Sequence, residues 1–136
     1  RDKFGPDVVI GLMATDGTIQ TGIYGRKAKS MKLAMVVPDK EHQAMVMEAI
    51  YGEKGVKAGY TDGYCKEVLL KAAEHLVKDK GAQALILGCT ELPLILEETD
   101  NLKLGDGHAA IVDPTSSLAR RVVKVAGEIT KIRGVR

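Results

Sequence analysis

The sequence predicts an α/β fold, an open and mostly parallel sheet with helices on both faces. Three observations point to it. Short, wholly apolar runs such as Ala84-Leu85-Ile86-Leu87 and Ala109-Ala110-Ile111-Val112 lack the alternation of a half-solvated strand and suit strands buried on both sides. These runs alternate with longer stretches of helical periodicity. The runs ending at Ala14 and Leu87 each give way to small polar residues ahead of a helical segment, so parallel pairing would open both loops on the carboxyl edge, where ligands of such sheets bind.

Composition sets the class. The chain has 136 residues, 45% hydrophobic and 28% charged, enough for one domain with a buried core. A net charge of +2 with acids and bases interspersed, and only 4% aromatic residues, does not indicate nucleic acid as a partner. No apolar run approaches the roughly 18 residues that span a bilayer, and Arg1-Asp2-Lys3-Phe4-Gly5-Pro6 is no signal-peptide core, so a cytoplasmic location is the expectation. Two cysteines without a repeated spacing predict free thiols and no metal site. There is no P-loop and no GxGxxG.

Taken in order, Asp7 to Ala14 reads as a buried strand, Thr15-Asp16-Gly17-Thr18 as a polar loop, and the segment to about Ala28 as helix. The hydroxyls of Thr15 and Thr18 would face Cys89 across the sheet edge; helix capping is their other reading, for Thr18 ahead of Thr15. Lys32 to Val37 is a second strand stopped by Pro38, and Asp39 caps a helix from about Lys40 to Gly52. Met31, Met35, Met45 and Met47 read as core filler, and His42, with no second ligand at a metal-like spacing, as a surface residue. Glycines 52, 55, 59 and 63 punctuate a connection that carries Lys57 and Tyr60.

From Thr61 to Lys80 the chain predicts its longest helix, with Cys65, Val68, Leu69, Ala72 and Leu76 in one apolar stripe. Cys65 is therefore a core thiol. Gly81 closes that helix and the Ala84 strand follows. Leu102 to His108 reads as a turn-rich loop, with His108 exposed, before the last strand at Ala109. Asp113 then caps a helix with Pro114 in its first position. Its apolar stripe is Leu118, Val122, Val125, Ile129 and Ile132, flanked by Arg120, Arg121, Lys124 and Lys131; without Trp or Phe on that face, membrane binding is not expected.

The organising stretch is Ala82 to Leu96. Cys89 stands where the strand ends, Thr90 is placed to cap a helix starting at Glu91, and Pro93 falls in the first turn. On this reading the positive end of the helix favours thiolate, and free amides of the first turn hold a substrate carboxylate.

Gly88-Cys89-Thr90-Glu91-Leu92-Pro93-Leu94, preceded by Leu85-Ile86-Leu87, resembles the second cysteine signature of the aspartate/glutamate racemase family. Glu91, where glutamate racemases usually carry His, makes the aspartate racemase branch the better match. Val9 to Tyr24 resembles the strand and threonine loop that open the second domain in that branch, Ile50 to Gly59 its lysine segment, and Asp113-Pro114-Thr115 the turn before its last helix. The resemblance covers nearly the whole chain, in the right order.

It implies that residues 1–136 are one half of a two-domain racemase fold, the C-terminal domain. Each of two similar domains would bring one cysteine to a shared cleft. The implied reaction is cofactor-independent racemisation of aspartate or glutamate, without pyridoxal phosphate. Cys89 would be the acid or base for one face, Thr15 and Thr90 would hold one carboxylate, with Thr18 beside them, and Lys57 would support the second carboxylate. The role of Glu91 stays open. The first domain has no counterpart, and Cys65, inside a helix, does not replace its cysteine. Self-association, weak or absent activity alone, and packing of the terminal helix, 113–136, toward the missing domain are the expectations. The alternatives are a single-cysteine dicarboxylate decarboxylase or isomerase of the same superfamily, or a non-catalytic carboxylate-binding domain.

Overall fold

The computed structural model describes residues 4–132, the side chains of 129–132 excepted. The reading of Arg1 to Lys3, the stripe positions Ile129 and Ile132, the flanking Lys131 and the end of the 113–136 segment lie outside the described residues.

Five strands form one sheet in the order β2-β1-β3-β5-β4. β1 (Val9–Met13) pairs in parallel with β2 (Ala34–Val36) and with β3 (Ala84–Leu87), and β3 pairs in parallel with β5 (Gly107–Val112). β4 (Thr99–Leu104) runs antiparallel to β5 on the edge. The expected loop from Leu102 to His108 is therefore a hairpin, turning at Gly105, whose φ of +57° suits glycine. Its signal was the alternation of Leu102 and Leu104 with Asn101 and Lys103, the period of an edge strand with one solvated face.

The helices α1 (Asp16–Thr21) and α2 (Ile23–Ser30) connect β1 to β2; α3 (Lys40–Tyr51) and α4 (Tyr64–Lys78) connect β2 to β3. The expected single helix to Ala28 is two, broken at Gly22, which adopts φ +66° and ends α1. β1 shows that both faces are covered, because alternate residues point opposite ways. A Cβ at Gly11 would stand 2.6 Å from Leu85 Cδ2 and 3.2 Å from Leu76 Cδ1 of α4. Its neighbour Leu12 lines an apolar cavity with Ala28 of α2. Since β2 and β3 flank β1 on opposite sides, the strand order reverses there, and the crevice at the carboxyl ends of β1 and β3 is the place a ligand would use.

The core lies between the sheet and α3 and α4. Cys65, Leu69, Ala72 and Leu76 are fully buried and Val68 nearly so, packed with Met13, Val46, Ile50, Leu85, Leu87 and Ile111. The methionines do not all join it: Met31 is half exposed, and Met47 accepts the Asp16 N–H at 3.4 Å. Long, flexible thioethers serve a helix end and a loop as readily as a core. The last helix, α5 (Pro114–Ile132), leaves the start of its stripe in solvent, with Leu118 65% and Val122 57% exposed.

Candidate functional site

Parallel pairing of Met13 with Leu87 and of Ile86 with Val112 brings three chain segments to one edge. They are the Thr15 loop, the Cys89 loop and the start of α5. The Gly88 N–H bonds to the Met13 carbonyl at 2.7 Å, and a Cβ at Gly88 would stand 2.7 Å from Leu12 Cδ1. Only glycine lets the two strand ends lie this close, so Gly88 sets the position of the thiol beside the threonine loop.

The expected helix after Cys89 is absent. A single 3-10 turn, Leu92–Leu94, follows instead, with Glu91 before it and no side-chain cap from Thr90. Three residues with Pro93 among them cannot align enough peptide dipoles to act as a helix terminus. The thiol consequently does not have the lowered pKa that a helix end would impose. Burial pushes it up first, and its hydrogen bond to Glu91 adds to the rise, while the Lys57 ammonium opposes it. Cys89 is held as a thiol.

Glu91 is the hub that the sequence reading left without a role. Its Oε2 accepts from the Cys89 Sγ–H at 2.8 Å and from the Thr90 hydroxyl at 2.9 Å, and its Oε1 lies 3.1 Å from Lys57 Nζ. Those donors, the thiol first, hold its carboxyl down to about 2. Lys57, raised above the ordinary lysine value by Glu91, also lies 5.2 Å from the centre of the Tyr51 ring. A short 3-10 turn, Val56–Ala58, delivers it, ended by Gly59 at φ +95°.

Thr15, not Thr18, caps α1: its Oγ1 accepts the Thr18 N–H at 3.3 Å, and the two hydroxyls are 3.1 Å apart. Gln43 of α3 fastens this loop, donating to the Ala14 carbonyl at 2.9 Å and to Asp16 Oδ1 at 2.8 Å. Thr90 is exposed and turned toward Glu91. Cys89, Thr90 and Lys57 are thus brought together through Glu91, while Thr15 and Thr18 share the sheet edge and bond to each other.

Two residues join the edge that the sequence did not mark for the site: Asp113, read only as a helix cap, and Tyr24. Asp113, 8% exposed, caps α5 by accepting the Thr115 N–H at 2.9 Å and the Ser116 hydroxyl at 2.6 Å. Tyr24 of α2 has its phenol pKa raised by burial, then by Asp113 and Cys89, so it stands within their field. No local signal marked Tyr24, which reads simply as a helix position. Cys65 has no part here: it is fully buried, its Sγ within 3.5 Å of the Tyr60 carbonyl and 3.4 Å of the Asp62 carbonyl. His42 is not a lone surface residue, since its ring stacks on His75.

Comparison with known proteins adds the following. The family model described as Asp/Glu/Hydantoin racemase matches residues 6–122. A protein of Pectobacterium carotovorum described as uncharacterized, in the pnlA 3′ region, is 32% identical over 117 residues, 85% of this chain and 71% of that protein. A glutamate racemase of Limosilactobacillus reuteri is 25% identical over 112 residues, 82% of this chain and 39% of the enzyme. The crystal structure of an aspartate racemase homologue from Pyrococcus horikoshii superposes with a TM-score of 0.69 at 26% identity, covering 88% of this chain and 48% of that one. The aspartate racemase of Picrophilus torridus gives 0.58 at 28%, covering 89% and 46%. The chain therefore spans about half the length of these solved relatives, and less of the glutamate racemase.

Proposed function

The chain belongs to the Asp/Glu/hydantoin racemase family, and from that premise we propose that it supplies one face of a cofactor-independent acidic amino-acid racemase, with Cys89 as the proton-transfer group. The observation that carries this reading is the Cys89–Glu91–Lys57 array at the β1/β3 carboxyl edge.

Racemisation removes the α-proton on one face and returns one on the other. As built, Cys89 is the acid: its Sγ–H proton passes to the planar carbanion, leaving a thiolate. In the opposite direction the thiolate takes the α-proton and becomes the thiol again. Glu91, ionised at any pH well above 2, accepts hydrogen bonds rather than shuttling protons. It holds the S–H, while Lys57 balances its charge. Lys57 and Thr90 are donors that a substrate carboxylate can take over from Glu91, and an ammonium there stabilises negative charge spreading from the α-carbon into the carboxylate. The Thr15 and Thr18 hydroxyls are the second carboxylate subsite. The other substrate face falls to a second domain or chain, and the apolar side of α5 is where we place its contact. Self-association of the chain through that side is part of the same reading.

The test is solvent deuterium incorporation at the α-carbon of L- and D-aspartate and L- and D-glutamate, with the Cys89→Ser variant alongside. Exchange of one enantiomer that disappears in Cys89→Ser supports a competent half-site. Exchange that survives Cys89→Ser, or Cys89-dependent decarboxylation in its place, overturns it.

A further inference from the structure

A second polar cluster, separate from Cys89, lies where the first turn of α3 meets the last turn of α4. The His42 and His75 rings are stacked, with centroids 3.9 Å apart and planes 5° from parallel. Asp39 joins them: its Oδ1 is 2.7 Å from His42 Nδ1, and its Oδ2 is 3.5 Å from His75 Nε2. On the far side of His75, Nδ1 is 2.8 Å from Asp79 Oδ2. His75 is 6% exposed and stands between two carboxylates.

Hydrogen bonding fixes what this arrangement needs. Asp79 accepts from Nδ1 of His75, and the Asp39 N–H points at Nε2, so Nε2 is the nitrogen placed to offer a lone pair. That lone pair faces a carboxylate oxygen, and a long 3.4 Å contact from the Asp39 N–H is the bond the structure gives it. Two ligand atoms of one tetrahedral ion, at bonds of about 2.0–2.2 Å, stand about 3.3–3.6 Å apart, and Nε2 and Oδ2 are 3.5 Å apart. One ligand atom each from Asp39, His42 and His75 lies within 4.8 Å of the other two.

We propose that Asp39, His42 and His75 form a binding site for a divalent transition-metal ion of the zinc type, with Asp79 orienting His75 from behind. Two imidazoles and one carboxylate suit such a borderline ion; calcium and magnesium prefer all-oxygen sets. The carboxylate–histidine pairing of Asp79 with His75 is the support that metal-bound histidines ordinarily have. The 2.7 Å contact of His42 with Asp39 is shorter than the spacing of two ligand atoms on one ion, and parallel rings do not point their nitrogens at one ion, so the ion draws His42 out of its stack. That side chain is 22% exposed and can move; the buried His75 and the capping Asp39 form the fixed part. Of the charges lining the same hollow, Lys71 is paired with Glu67 at 2.8 Å, and Glu74 offsets Lys78. An ion here ties α3 to α4, the two helices that cover the core.

The test uses the full chain carrying Cys89→Ser, so that the edge thiol cannot bind the metal. Zinc chloride is titrated by calorimetry and thermal unfolding, and cobalt(II) by absorption. One equivalent bound at micromolar concentration, a higher Tm and a cobalt spectrum without a sulfur charge-transfer band are expected. His42→Ala and Asp39→Asn should each weaken binding about tenfold or more. Asn keeps the cap oxygen of α3, so Asp39→Asn leaves the fold intact even if a His75 variant does not fold. No saturable binding at micromolar zinc, or binding unchanged in both variants, overturns the proposal.

Discussion

The chain's two cysteines carry the same group in opposite settings. Cys65 lies inside the first turn of α4, fully buried among Leu69, Ile50 and other core side chains, with backbone carbonyls within reach of its sulfur. Cys89 lies past the end of β3, partly buried, with its S–H donated to a carboxylate and a lysine beyond. The difference teaches that packing decides what an S–H faces, and it is on this that the proposed role of Cys89 rests. A backbone carbonyl offers no group whose charge or position changes when substrate arrives. On the proposed reading the Glu91–Lys57 pair does.

Four substitutions sharpen or break this contrast. The largest effect is expected from Cys89→Ser, which should lower α-carbon deuterium exchange by about 10²- to 10⁴-fold, the usual worth of a positioned acid or base, as followed by NMR. If Cys65→Ala did the same, the assignment of roles would be wrong. Next comes Gly88→Ala: the added methyl meets Leu12, Ala14 and the Met13 carbonyl, and urea unfolding should show a loss of about 1–3 kcal/mol. Cys65→Ala should cost about 1 kcal/mol by the same measurement and leave exchange unchanged.

Smaller effects distinguish the settings without unfolding either. Iodoacetamide should label Cys89 and spare Cys65, with a rate that rises with pH to a midpoint above that of an ordinary thiol. Glu91→Gln should move that midpoint down, because it removes the negative charge that resists thiolate formation. Glu91 also makes a signed prediction about acid. Its folded pKa, about 2, lies below its ordinary value of 4.5, so its hydrogen bonds stabilise the fold fully above that ordinary value and lose their effect as pH falls toward the folded one. The stability gap between wild type and Glu91→Gln should therefore be widest near neutral pH and shrink between about pH 4.5 and 2. A gap that grew on acidification would contradict the ion pair with Lys57.

A second contrast, between α4 and α5, concerns what a helical stripe decides. Both helices carry regular apolar spacing, yet Leu69 and Leu76 are buried while Leu118 and Val122 stand in solvent. The pattern defines a face and says nothing of what lies opposite it.

The sequence by itself determined the elements whose causes are local. The apolar runs of β1 and β3, the Asp39 and Asp113 caps, the α4 stripe and the place of Cys89 just past a strand all follow from period, capping and turn chemistry within a few neighbours. The folded structure decided the rest. The turn after Cys89 stayed 3-10 rather than α, Glu91 became the partner of both the thiol and Lys57, Thr15 took the cap from Thr18, and His42 met His75. Of these, the meetings of Glu91 with Lys57 and of His42 with His75 depend on segments that only packing brings together. Sequence neighbours specify conformation through short-range sterics and hydrogen bonds; the field around a thiol, or the ring over a histidine, is set by residues that only packing brings near.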